Sequence, residues 1–446
     1  MPASVPPEDT PRHPPRLARP HPVPRLAEPG WTPPAPGNTE EFWAEVRRRG
    51  TPLVLPDPGG SADHVAVTFL WRGGPGTHAV QVLPNKLGDP RAPEGNLMEH
   101  APGTDVWHWT VRLRRDWRGT YDLFVDEGGG PAPDGPGYWQ WLRTRRRADP
   151  FNSRTLPRRW GGESVSYAAL DGAPDAADWT PRQGVARGTV DEHRVASAHL
   201  GGQRRVWLYR PAGAPATPVA PADPATAAGP ATTTTGTEAN PEATPEKLPV
   251  LVLLDGEHWQ PRLGIAHLLD NLIADGRIPP LAVVAPESVD PDTRWSELTC
   301  RPEYVAFLEQ ELLPWAAGRL PLTDDPARTV IAGQSLGGLT AAYAAYAAPH
   351  RFGNVLAQSG SFWWPDGPGA EWLTGRLAET PRLPVRFWLS FGEQEWVVLP
   401  AARRLRETLA AAGYDDAVHR EFNGGHDYLC WRTELADGLV GLLSHD

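Results

Sequence analysis

Hydrophobic positions along this chain change their period once, and that change divides it. From residue 64 to 125 apolar side chains alternate with polar ones: Val65, Val67, Phe69 and Trp71, then a run over 79–83, another over 106–113 and a fourth over 119–125. Alternation with Gly, Pro and Asp between the runs predicts short antiparallel strands, hence an immunoglobulin-like β-sandwich. Ahead of it, residues 40–49 read as one helix closed by Gly50. Strands restart as a hairpin over 193–197 and 204–210, and from 248 the pattern becomes strand–helix alternation. Predicted strands cover 248–254, 281–286, 329–332, 354–358, 385–390 and 418–422; helices cover 263–275, 303–319, 339–348, 371–379, 400–412 and 435–443. Near-continuous apolar strands alternating with helices mean a parallel sheet covered on both faces. The fold class is therefore α/β, an α/β-hydrolase domain preceded by an antiparallel β-sandwich.

Two stretches lack periodicity. Residues 1–38 are rich in Pro and Arg and are expected to be a disordered tail; 212–247 are rich in Ala, Thr and Pro and read as a disordered insertion between two strands. This gives a sandwich domain with its connector over 39–185 and a hydrolase domain over 186–446.

Composition narrows the function. The 43 basic and 54 acidic residues of the 446 argue against general nucleic-acid or anionic-membrane binding. Two cysteines, Cys300 and Cys430, make no disulfide framework. With no apolar run long enough to span a bilayer and no signal-like h-region, a cytoplasmic protein is expected. Neither zinc-type motifs nor phosphate-binding glycine loops occur, so no metal and no cofactor is expected. Twenty Trp is a surplus, of which the strand Trp residues are expected in the core. The basic run 143–147 reads as a solvated connector, with contact to an anionic ligand as the alternative.

Candidate chemistry centres on Gly333-Gln334-Ser335-Leu336-Gly337, where an apolar strand meets glycine and a helical pattern follows. G-x-S-x-G on strand–turn–helix is the nucleophile elbow of α/β-hydrolases, and its chain order requires an acid and then a histidine after the serine. His426 alone follows a strand within a glycine-rich loop, whereas His350, His419 and His445 read as surface or packing residues. The acid follows the strand over 385–390; its position three after Gly392 favours Glu395, with Glu393 open and Asp427 a weak third. The oxyanion hole is expected from the N–H of Leu336 and, in the loop after the first strand, that of Glu257, which Gly256 lets close in.

Several blocks are more specific than the elbow. Gln358-Ser359-Gly360-Ser361-Phe362-Trp363-Trp364-Pro365, Gly424-Gly425-His426-Asp427-Tyr428-Leu429-Cys430-Trp431-Arg432, Arg294-Trp295-Ser296-Glu297 and Gly103-Thr104-Asp105-Val106-Trp107 together resemble the bacterial ferric enterobactin (enterochelin) esterases. The resemblance spans both domains from about residue 40 to the end. It implies a cytoplasmic serine esterase that opens trilactone catecholate siderophores, with Ser335, His426 and Glu395 as its triad. The partner is then the ferric siderophore, and iron arrives chelated in the substrate. The tail and the 212–247 insertion look foreign to that family.

A ferric tris-catecholate is an aromatic trianion, so its pocket wants Arg and flat rings. Arg294 and Arg432 are the candidate cations and Trp363 and Trp364 the candidate walls; an ion pair for each Arg and core packing for each Trp are the competing assignments. Two other readings stand beside this one: a feruloyl- or acetyl-esterase-like carboxylesterase, and a non-catalytic siderophore-binding protein. Oligomeric state is not legible.

Overall fold

The computed structural model describes residues 13–27, 30–89, 92–128, 137–215, 247–367 and 369–444. The first twelve residues, most of the insertion (216–246) and His445 lie outside them.

The sandwich forms as the alternation requires. One sheet orders Leu53–Pro56, His64–Arg72, Val106–Arg114 and Glu99–His100; the other orders Ala79–Pro84, Arg118–Asp126, Val165–Ala169 and Thr155–Leu156, with Arg146–Arg147 pairing on Arg118–Asp126. Val65, Val67, Phe69, Trp109 and Val111 from one sheet meet Val80, Val82, Tyr121, Leu123 and Val125 from the other. Each is about fully buried, so the strand Trp109 belongs to the core, as does Trp117. The helix Glu40–Arg49 carries acidic residues in its first turn and arginines in its last, complementing its dipole, and buries Trp43 and Val46.

The tail departs from the expectation. Its described part is laid along the sandwich: Arg112 N–H donates to Pro24 O at 2.8 Å, Leu26 N–H to Thr110 O at 3.0 Å, and Val23 packs on the core. Trp31 stacks on Phe42 with ring centroids 5.7 Å apart. Further upstream the chain reaches the second domain, where Trp396 Nε1 donates to Leu17 O at 3.0 Å. One isolated β-bridge, Arg25 to Val111, and a few rings hold it, too little to leave a period in the sequence.

The second domain is built on an eight-stranded sheet ordered Thr189–Ser197, Gly202–Arg210, Ala282–Pro286, Val250–Leu253, Thr329–Gln334, Asn354–Gln358, Arg386–Gly392 and Val418–Phe422. The opening hairpin is antiparallel and the six later strands run parallel. The central four of these are buried throughout, which is why they read as apolar runs, whereas the edge strand Val418–Phe422 is mostly half-buried and carries His419, Arg420 and Glu421. The helix expected over 303–319 contains a π turn, Phe307–Leu312, just before Pro314. A proline cannot donate to the carbonyl four residues back, and the wider turn takes up the mismatch. Two further helices carry no apolar stripe and were not anticipated: Pro291–Glu297, with no buried residue, and Gly256–Trp259, a single turn.

A buried ion pair joins the domains. Arg118, opening a sandwich strand, donates to Glu434 of the C-terminal helix Tyr428–Leu443 at 3.0 Å, with side chains 2% and 3% exposed. Burial pushes the Glu434 carboxyl above its ordinary pKa despite Arg118 and Arg420. The pair therefore contributes little net stability, while losing one partner strands a charge. Glu434→Ala is expected to destabilise the protein by about 3–5 kcal/mol in urea unfolding, and the double replacement Arg118→Met with Glu434→Leu to recover most of it. A single variant as stable as wild type would refute the stranded-charge reading.

Candidate active site

Ser335 stands between the strand Thr329–Gln334 and the helix Leu336–Ala347, at φ 59° and ψ −120°. A non-glycine residue there is strained, and the surroundings hold it. Its N–H donates to Gln358 O at 3.0 Å and its carbonyl accepts from Ser361 N–H at 2.9 Å. A Cβ on Gly333 would lie 2.4 Å from the Gly337 carbonyl, so strand and helix approach only because this position is glycine. Beneath the turn runs a chain of buried amides. Trp259 Nε1 donates to Gln334 Oε1 at 3.0 Å, and Gln358 Nε2 to Trp431 O at 2.7 Å.

The candidate acid, Glu395, sits two strands away, at the same C-terminal edge of the sheet. Glu395 is 1% exposed. Its Oε1 accepts from Ser359 Oγ at 2.6 Å and from Gly392 N–H at 3.0 Å, and its Oε2 from His426 Nδ1 at 3.0 Å. An ionised carboxylate only accepts, so Nδ1 carries the ring proton and the neutral imidazole keeps Nε2 unprotonated, as a base requires. Glu393 points elsewhere: its carboxylate pairs with Arg114 at 3.0 Å. Asp427 is not an acid for the ring either. It caps the C-terminal helix, accepting from Leu429 and Cys430 N–H at 2.9 and 3.2 Å. Its other oxygen takes the Thr120 N–H and hydroxyl at 3.0 and 3.1 Å.

The two glycines before the histidine act by closeness. Neither has a positive φ. A Cβ on Gly424 would lie 2.5 Å from Cys430 Sγ and one on Gly425 2.3 Å from Asn85 O. The loop is therefore clamped, and glycine is needed at both positions for that close approach.

Leu336 opens the elbow helix, so its N–H has no partner within the helix. The facing loop opens at Asp255, in a left-handed conformation, and continues as Gly256–Trp259. Asp255 O accepts from His258 and Trp259 N–H, which leaves the Gly256 and Glu257 amides outside that turn. Gly256 is compelled: a Cβ there would meet Ala285 O at 2.3 Å. A Cβ on Gly337 would touch Leu254 at 3.6 Å and Asp255 at 3.7 Å, so the loop lies against the elbow helix. This brings the candidate donors Leu336 and Glu257 to neighbouring strand ends.

Arg294 holds this arrangement together. It donates to Asp255 through Nε at 3.0 Å and a terminal nitrogen at 2.8 Å, and that nitrogen also donates to Gln334 O at 2.9 Å. Arg159, from the connector, reaches the same loop, donating to Asp255 at 2.6 Å and Glu257 at 2.9 and 2.6 Å. Burial raises the Asp255 pKa, but Arg159 and Arg294 outweigh it and hold the carboxyl below the ordinary range. The guanidinium expected to meet substrate is thus committed to the scaffold. Arg432 is also turned inward, over the Trp179 ring at 4.8 Å, and burial lowers its pKa. Trp363 and Trp364 are 5% and 2% exposed within the hydrolase core.

A different set of residues faces the open space. A cleft of about 1360 Å³ runs between the domains and reaches His426. It is lined by Arg16, Lys86, Arg146, Arg158 and Arg159 with Asp89, Asp122 and Asp427; of these, Arg159 is paired with Asp255 and Glu257, and Arg146 and Arg158 with Asp122. Trp160, Trp396, Tyr428 and Trp431 supply rings. Trp160 is 46% exposed, with Arg159 4.4 Å from its ring centre. The signal for these was the connector stretch Pro157-Arg158-Arg159-Trp160-Gly161-Gly162, cations and a Trp in a loop without periodicity. From the run 143–147, Arg146 lines the cleft and pairs with Asp122 at 3.4 Å. Among the described residues no group of three or more His, Cys, Asp or Glu is placed to hold a metal ion. No helix among them is long and apolar enough to cross a membrane.

Known proteins share this layout. The family model "Enterochelin esterase, N-terminal" matches residues 66–179 and "Putative esterase" matches 232–442. An iron(III) enterobactin esterase of Dickeya dadantii is 33% identical over 91% of this chain and 93% of its own length. An iron(III) salmochelin esterase of Escherichia coli is 30% identical over 91% of this chain and 94% of its own. The crystal structure of the Shigella flexneri enterobactin esterase in the presence of enterobactin superposes with a TM-score of 0.72 at 30% identity, covering 91% of this chain and 98% of that one. Similarity at this level across both domains makes the chain a member of the iron(III) enterobactin esterase family.

Proposed function

We propose that this protein is a serine esterase that hydrolyses the trilactone ester bonds of ferric catecholate siderophores, releasing iron in the cytoplasm. The observation that carries the reading is the cleft between the domains, basic and ring-lined, that opens onto His426. A tris-catecholate complex is bulky, flat-ringed and anionic, which is the chemistry such walls favour. In this scheme Ser335 attacks a lactone carbonyl and His426 Nε2 takes its proton. Glu395 holds the tautomer and stabilises the imidazolium. The Leu336 and Glu257 amides receive the developing oxyanion. Protonation of the departing alkoxide by His426 opens the ring, and water then releases the acyl group from Ser335 by the reverse route. No resident cofactor enters the scheme; iron comes and goes with the substrate.

The cleft assignment is tested by steady-state kinetics on two substrates. Trp160→Ala and Lys86→Ala are each expected to raise KM for the ferric siderophore about tenfold. Turnover of p-nitrophenyl butyrate, too small to span the cleft, should stay within about twofold of wild type. Unchanged KM in both variants would remove the cleft as the siderophore site.

A further inference from the structure

The elbow and the acid are built on the hydrolase sheet, but the histidine loop is held from the other domain. Asn423 O accepts from Arg118 N–H at 3.2 Å, Asn423 Nδ2 donates to Asp116 Oδ1 at 2.6 Å, and Asp427 takes both donors of Thr120. Residues 423–427 thus lie along the start of the sandwich strand Arg118–Asp126, and Arg118 and Gly424 form a parallel bridge. Between these fastenings sits His426 itself.

We propose that Asn85 is a positioning residue for the catalytic histidine. Asn85 follows the sandwich strand Ala79–Pro84, and its own N–H is fixed on Thr120 O at 2.8 Å. Its side chain reads both polar groups of one residue across the domain boundary. Nδ2 donates to His426 O at 3.0 Å, and Oδ1 accepts from His426 N–H at 3.0 Å. The amide orientation is determined by these two bonds, because the flipped amide would set donor against donor and acceptor against acceptor. A two-point contact of this kind fixes the position and tilt of the His426 backbone, and so the direction in which the imidazole leaves it. At the other end of the ring, Nδ1 is anchored on Glu395 and Trp431 packs edge-on with centroids 4.9 Å apart. The ring is therefore held at its root by the sandwich and at its edge by the hydrolase. The glycine at 425 belongs to the same device, since any side chain there would collide with the Asn85 carbonyl.

This assignment rests on His426 being the base for Ser335. It carries a consequence for the architecture: the sandwich takes part in catalysis by holding the histidine, as well as walling the cleft. A small misplacement of a catalytic group costs rate and leaves binding of a small substrate intact.

The test uses full-length Asn85→Ala and Asn85→Leu, the second keeping the bulk while losing both hydrogen bonds. Ser335→Ala is the reference, and Arg182→Ala is a control that loosens a connector contact to Asn271 and Asp275, neither of which belongs to the histidine loop. Each is measured for Tm, for kcat and KM on p-nitrophenyl butyrate, and for the rate at which a fluorophosphonate labels Ser335. Both Asn85 variants are expected to lose about 10- to 100-fold in kcat and in labelling rate, with KM within about twofold. Arg182→Ala should lower Tm and keep kcat. If the alanine variant does not fold, the leucine variant carries the comparison. The proposal is overturned if kcat and labelling rate in the folded Asn85 variant match those of Arg182→Ala at a comparable loss of Tm. Normal turnover by Ser335→Ala would instead bring down the underlying triad assignment.

Discussion

Ser335→Ala is expected to lower kcat for ester hydrolysis by about four to six orders of magnitude while leaving the fold and siderophore binding intact. The size of the effect follows from the geometry. The strained elbow, the glycine contacts at 333 and the amide chain beneath the turn all serve to present one hydroxyl, and no neighbouring group can replace it. Ser361 Oγ lies 3.4 Å from Ser335 Oγ, but it belongs to the loop after the next strand and lacks the elbow. Removing Oγ takes away only one small polar atom, so thermal unfolding should be close to wild type. Quenching of tryptophan fluorescence by the ferric siderophore should give an unchanged Kd, because the rings of the cleft are untouched. A variant that lost binding along with turnover would mean that the serine holds substrate instead of attacking it.

The second large effect concerns the acid. Glu395→Gln is expected to reduce kcat by about 10³- to 10⁴-fold, since a neutral amide can offer Nδ1 a donor in place of an acceptor and so favour the wrong tautomer. The same change breaks an inner network. Oε1 takes Ser359 Oγ, whose oxygen in turn accepts from Trp431 Nε1 at 2.8 Å. A moderate drop in Tm should therefore accompany the loss of rate. Glu393→Gln tests the competing carboxylate in the same loop. Its partner is Arg114 on the sandwich, half exposed to solvent, so kcat should remain within about threefold of wild type. If the two variants exchanged roles, the triad would have to be redrawn through Glu393.

Sequence made the sheet legible because its strands are buried on both faces. The strand Asn354–Gln358 matches its predicted run residue for residue, the half-buried edge strand Val418–Phe422 keeps its predicted bounds, and the helix Glu40–Arg49 is marked by its charges and Gly50. The apolar pattern of the C-terminal helix shows only from 435, but the helix begins at Tyr428, because the side chain of Asp427 caps it. That aspartate drew notice as a possible catalytic acid, and the capping role explains its place beside the histidine equally well. The helix Pro291–Glu297 went unread for want of an apolar stripe, although Asp290 and Pro291 form an N-cap and first-turn signal.

Order along the chain was enough to bring Ser335, Glu395 and His426 forward, since they follow the strands Thr329–Gln334, Arg386–Gly392 and Val418–Phe422 of one parallel sheet, two strands apart and then adjacent. Substrate contacts were harder. Arg294 looked available because it sits in a loop at the right edge; nothing in sequence says that Asp255, 39 positions away, takes its guanidinium. Conversely Arg158, Arg159 and Trp160 lie in a connector without periodicity, and only the packing of one domain on the other turns that connector into a wall of the cleft. Asn85 is invisible for the same reason: its partner is 341 residues distant.

The most direct measurement is mass spectrometry of the products formed from a ferric tris-catecholate trilactone by the wild type and by Ser335→Ala, side by side. The wild type is expected to yield the linear trimer and then its smaller acyl-serine fragments, one water added for each ester opened, and Ser335→Ala to leave the macrocycle intact. An untouched trilactone after incubation with the wild type, or the same fragments from Ser335→Ala, would contradict the account.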